Sequence, residues 1–127
     1  MIANAKPMCE LFAGVQDVET FGFRLREFLD RFREEPSINL VAEEPELLAT
    51  DLGDEGKADA FLASTAAFLA HAHSFPVPGW AKGTARALEK PWFAAKSHNL
   101  RMVLLQESPT AFRIRNLFVS ANALHRA

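Results

Sequence analysis

Lys57-Ala58-Asp59-Ala60-Phe61-Leu62-Ala63-Ser64-Thr65-Ala66-Ala67-Phe68-Leu69-Ala70-His71-Ala72-His73 is the stretch whose reading decides the fold. Ala58, Phe61, Leu62, Thr65, Phe68, Leu69 and Ala72 recur at intervals of three and one residues, which places them on one face of an α-helix. The alanines between them raise helix propensity and let a neighbouring helix come close, so a central core helix over about 56 to 74 is expected. Pro76 and Pro78 bias the residues before them towards extended backbone, and Gly79 relaxes it again. Phe75 to Trp80 therefore reads as a stiff connector.

Upstream, Val18, Phe21, Leu25, Phe28, Leu29 and Phe32 form a second helical stripe, with Asp17 placed as its cap and Pro36 beyond its end. An amphipathic helix over about 17 to 34 follows, its outer face carrying Arg24, Arg26, Glu27, Asp30, Arg31, Arg33 and Glu34. Pro45 reads as the opening of a two-turn helix through Leu52 that Gly53 closes. Downstream, Thr84 to Glu89 reads as a short helical piece leading to Pro91-Trp92-Phe93. Ser97 caps a third main helix running to Glu107, and its segment Leu100 to Leu105 is apolar at five of six positions, which predicts that other elements surround it. Ser108-Pro109 reads as a cap and the first residue of another helix. Phe112, Ile114 and Phe118 with Arg113 and Arg115 between them also fit period-two alternation, so part of Phe112 to Val119 reads equally as extended. Ser120 or Asn122 reads as the start of a last turn through Leu124. The expected fold class is all-α: one compact helical domain of five to seven helices over residues 1 to 127.

Composition narrows the class further. Half of the 127 residues are hydrophobic, with eleven Phe, two Trp and no Tyr, so the core is built largely on a bulky side chain without a polar handle. Trp80 and Trp92 are expected in that core. Cys9 stands alone, which rules out an intramolecular disulfide and a cysteine-based zinc site and fits a reducing cytoplasm. No stretch approaches the roughly 20 apolar residues of a bilayer span, and the residues to Gly14 do not read as a targeting segment; a soluble cytoplasmic protein without membrane contact is expected.

The charges are segregated. Residues 1 to 64 hold 6 basic and 14 acidic side chains, whereas residues 65 to 127 hold 8 basic and 2 acidic. The basic half faces either a partner or the acidic half of its own chain. Arg101, Arg113 and Arg115, with Asn116, Lys96 and Arg126 nearby, are the candidate binding residues, because the guanidinium fork suits carboxylate or phosphate. The competing reading pairs these arginines with Glu107 or the acidic half.

Catalytic chemistry leaves no comparable trace. There is no G-x-S-x-G elbow and no phosphate-cradling glycine loop. His71 and His73 point about 200° apart on a helix and cannot share a metal, so no metal site and no cofactor are expected. Glu43, Glu44 and Glu46 read as a solvated helix entry rather than paired acid/base carboxylates.

The order Pro76-Val77-Pro78-Gly79-Trp80, Pro91-Trp92-Phe93, Leu105-Gln106-Glu107-Ser108-Pro109, Phe112 to Val119 and Asn122-Ala123-Leu124-His125-Arg126-Ala127 resembles a family of small bacterial proteins without an assigned activity. Its members are often encoded beside nucleotidyltransferase-like proteins of toxin and antitoxin pairs. Ile114 departs from that family, where a third basic residue is common. The resemblance covers Phe75 to Ala127 and implies an accessory or antitoxin-like partner in a bacterial two-gene system. Together these readings lead us to expect a non-enzymatic protein-interaction module that binds an acidic or phosphate-bearing partner. The alternatives are nucleic-acid binding through the basic half and an enzyme of unrecognised type. Homodimerisation through opposed acidic and basic patches is also compatible with the sequence.

Overall fold

The computed structural model describes residues 6–120 and Leu124. The last turn expected from Ser120 or Asn122 runs through residues 121–123, which with His125 and Arg126 lie outside the described residues. The chain is all-α in class: α1 (Met8–Leu11), α2 (Val18–Glu34), α3 (Ala49–Leu52), α4 (Lys57–Ala72), α5 (His98–Glu107) and α6 (Thr110–Arg113). Tight 3-10 turns occupy Ile38–Leu40, Gly79–Lys82 and Thr84–Arg86, and two short strands, β1 (Trp92–Phe93) and β2 (Leu117–Phe118), pair in parallel.

α4 is the central helix its sequence predicts. Ten of its residues are buried, from Ala58 through Ala70, and it packs against α3, α6, β2 and the turns at Gly79–Lys82 and Thr84–Arg86. Its small residues admit these neighbours closely while Phe61 and Phe68 reach outward. Ring contacts run from Phe12 to Phe21 (5.3 Å between centroids), Phe21 to Phe61 (6.5 Å), Phe61 to Phe112 (5.1 Å) and Phe112 to Phe68 (6.4 Å), so phenylalanines tie α1, α2, α4 and α6 into one core. Ser74, at φ +58°, turns the chain out of α4.

α2 begins where its cap predicts. The Asp17 carboxylate accepts the Thr20 N–H at 2.7 Å and the Thr20 hydroxyl at 3.0 Å, and Phe28, Leu29 and Phe32 are buried. The two-turn helix expected from Pro45 is corrected to the single turn of α3. Residues 44–48 form no helical turn, because α4 and the turn at Arg86 take up their polar groups: Asp59 accepts the Leu48 and Ala49 N–H groups at 2.6 and 3.1 Å, and Arg86 donates to the Pro45 carbonyl. Gly53 closes α3 in the left-handed conformation, at φ +59°. The piece expected over Thr84 to Glu89 shrinks to the turn Thr84–Arg86, and the connector at Phe75 to Trp80 runs into the turn at Gly79–Lys82.

The ambiguity over Phe112 to Val119 resolves as both structures in sequence. α6 ends at Arg113, Asn116 turns the chain at φ +64°, and β2 follows. Its pairing with β1 encloses α5 and α6 in the crossover that parallel strands require. Ser108 does not cap α6, whose N-cap position is Pro109, but stands at the C-terminal cap of α5. Its hydroxyl lies 2.6 Å from the Leu104 carbonyl and accepts the Val119 N–H at 3.0 Å, latching the end of α5 to the end of β2.

Candidate protein-interaction surface

α5 departs from expectation in the way that matters most for function. Ser97 caps it as read, accepting the Leu100 N–H at 3.2 Å. The other elements do not surround it, however. Leu104 is buried, while Leu100, Met102, Val103 and Leu105 are 57, 47, 47 and 41% exposed. A ten-residue helix holds the β1 to β2 crossover, and its one buried side chain together with the Ser108 latch docks it; its remaining apolar residues face outward.

β1 extends this face. Pro91, Trp92, Phe93, Ala94, Ala95, Lys96 and Arg101 line a concavity of about 790 Å³ beside α5. Its wall is fixed from within: Phe93 stacks on Phe118 at 4.8 Å, and the Trp92 N–H donates to the Asn116 carbonyl at 2.9 Å. Arg101 lies over the Phe93 ring, 5.4 Å from its centroid, and donates from Nε to the Ala95 carbonyl at 3.1 Å. Residues 90 to 106 contain Lys90, Lys96 and Arg101 and no carboxylate. Lys96 and Arg101 edge the concavity, and the carboxylates of Glu89 and Glu107 border this segment on either side.

The four candidate binding residues have separate fates. Arg101 is exposed on this surface. Arg113 is exposed and donates to the Thr110 hydroxyl at 3.3 Å. Arg115 is 5% exposed; its guanidinium donates to the Ala81 carbonyl at 3.2 and 2.8 Å and to the Ala111 carbonyl at 2.7 Å, and burial pushes it below its ordinary pKa. A shared surface of the three arginines is thus corrected: Arg115 fastens α6 to the turn at Ala81 and offers no fork to a ligand. Asn116 donates to the Leu88 carbonyl at 2.7 Å and serves the turn before β2.

The residue at the centre of the charge pattern, Arg86, lies in no motif or period of the sequence. Arg86 is 1% exposed, donates from Nε and Nη2 to the Glu44 carboxylate at 3.2 and 3.1 Å, lies 3.7 Å from the Asp59 carboxylate and sits 4.9 Å from the Trp80 ring centroid. It makes two ion pairs between the basic and acidic halves. Burial is the largest influence on Asp59 and raises its pKa, which the Leu48 N–H, Arg86 and the Ala49 N–H oppose. Glu43, Glu44 and Glu46 diverge: Glu43 lies 3.7 Å from the Cys9 thiol, Glu44 pairs with Arg86, and Glu46 accepts the Gly14 N–H at 2.6 Å. Among the described residues no group of three or more His, Cys, Asp or Glu side chains converges to hold a metal ion. No helix is long and apolar enough to cross a membrane.

No protein-family model, curated protein or solved structure matches this chain.

Proposed function

We propose that this chain is a non-enzymatic protein-interaction module that docks its partner on α5 and the adjoining wall of β1. The observation that carries the reading is the outward exposure of Leu100, Met102, Val103 and Leu105 on one helix. A helix apolar around its whole circumference belongs in an interior, and an uncovered apolar patch with a polar rim is the usual mark of a protein contact. The accessory or antitoxin-like role in a two-gene system, implied by the resemblance of Phe75 to Ala127, is the setting we assign to it.

The test is native capture of tagged wild-type protein and of Val103→Glu from cells that make it, side by side. The reading expects a protein bound in stoichiometric amount by the wild type and lost from the variant. Equal capture by both would move the interface away from α5. Recovery of nuclease-sensitive nucleic acid in place of protein would favour the nucleic-acid reading, to which Arg115 contributes no exposed charge.

A further inference from the structure

We propose that a hollow between α4 and α6 is a binding site for a small organic carboxylate with an aliphatic or aromatic body. None of its lining residues belongs to α5, so it is a second site beyond the interaction reading. On α4 the lining residues Ala67, Phe68, His71 and Ala72 fall on one helical face. Thr110, Ala111, Ile114 and Arg115 repeat that spacing along α6 and its C-terminal end. Alanines on both sides of the seam leave it unfilled, and a cavity of about 540 Å³ remains, inside the range of about 300 to 1,000 Å³ usual for small-molecule sites. Phe68, Val77 and Ile114, the last 67% exposed, give it apolar walls.

Charge selects the head group. The ionisable residues of the hollow are His71, Lys82 and Arg115, and among the described residues no carboxylate lines it. Glu107, two residues before Pro109, belongs to α5 and stands outside the lining. Arg86 and Arg115, both buried, make the contrast. Arg86 meets Glu44 and Asp59, whereas Arg115 is held by the Ala81 and Ala111 carbonyls and has no carboxylate at ion-pairing distance among the described residues. Those carbonyls occupy its fork and bring no full negative charge, so its cation stands unneutralised where α6 meets the turn at Ala81. Lys82, the next residue, is exposed at the edge of the hollow, and its ammonium supplies the donors that Arg115 does not. The Leu69, Ala70 and His71 carbonyls at the end of α4, which would repel an anion, accept the His73, Phe75 and Ser74 N–H groups. One free ammonium beside apolar walls suits a single carboxylate on an apolar body; a phosphate calls for more donors than Lys82 and His71 offer.

The experiment titrates the full chain with octanoate, phenylacetate, octanamide, octylamine and inorganic phosphate and follows the backbone amide shifts by NMR. The expected result is saturable binding of octanoate or phenylacetate that moves the amides of Phe68, Lys82 and Ile114. For the acid that binds, affinity is at least about tenfold above that of its neutral amide, while octylamine and phosphate do not saturate. Lys82→Ala lowers the affinity for the acid to about that of the amide, and Ile114→Ser weakens both. Arg33→Ala, which removes an exposed cation from α2, changes neither and separates a site from general attraction to a basic protein. Equal binding of acid and amide would overturn the carboxylate assignment. Binding of the acid that Lys82→Ala leaves intact would overturn the site, as would shifts confined to other elements. Phosphate bound at Lys82 more tightly than either acid would overturn the ligand class, and no saturable binding of either acid would overturn the proposal outright. Each of these results leaves the α5 reading where it stands. Lys82 and Ile114 are exposed, so both variants fold, and circular dichroism checks this.

Discussion

Single side chains set the economy of this core, and Arg86 is the costliest to lose. Its guanidinium is buried among Glu44, Asp59, the Pro45 carbonyl and the Trp80 ring. Arg86→Met leaves the buried Asp59 carboxylate without its cation and is expected to destabilise the fold by about 3 to 5 kcal/mol in denaturant unfolding. Thr65 is the opposite case: its hydroxyl is buried with no hydrogen-bond partner among the described residues, so Thr65→Val is expected to raise stability by about 1 kcal/mol. A fall in the unfolding midpoint would contradict that. Ser108 and Asp59 carry no sequence signature. Their partners, Val119 and Leu48, lie eleven residues away, and only the folded chain brings them together. Arg115 was visible as a basic residue, but its burial was not, because alternation and helix left its direction open.

At the scale of elements, α2 and α4 were legible over four or more turns, α2 because periodicity, cap and breaker agree and α4 because periodicity and the breaker at Pro76 to Gly79 agree. α3 was not, since the Leu48 and Ala49 N–H groups at its start go to the distant Asp59 carboxylate, and the turns at Gly79 and Thr84 are too short for a period to show. Asp17 supplies a pH test of α2. Hydrogen bonds from the Thr20 N–H and hydroxyl hold its carboxyl below its ordinary value of 3.8. A carboxyl lowered in the folded state adds stability that is present above pH 3.8 and is lost as pH falls through the lower folded value. Thermal melts across that range are expected to show an acid loss in the wild type that disappears in Asp17→Asn, which keeps a cap without the charge. Asp59 has the reverse sign: its raised folded value favours the native state in acid, and that contribution fades as pH rises from 3.8 through the raised value. In α5, Leu104→Ala is expected to cost about 2 to 5 kcal/mol and Val103→Ala close to nothing, because Leu104 is 7% exposed and Val103 is 47% exposed. Similar losses in urea unfolding would mean that α5 is covered within the chain.

At the scale of the whole molecule, the segregated charges and the apolar α5 belong to one design. The halves are joined internally through Arg86, which pairs one basic residue with two acidic ones, while Lys96 and Arg101 stand at the concavity beside α5. The apolar run Leu100 to Leu105 was plain in the sequence, and the inference that something covers it was reasonable. What periodicity does not contain is whether the cover comes from the same chain, because burial inside a domain and burial in an interface demand the same residues. The most direct measurement is photo-crosslinking from a benzophenone side chain placed at position 103 in cells that make the protein. The account predicts one predominant adduct to a different protein, through a segment rich in apolar residues. An adduct within the same chain, or none, would contradict it.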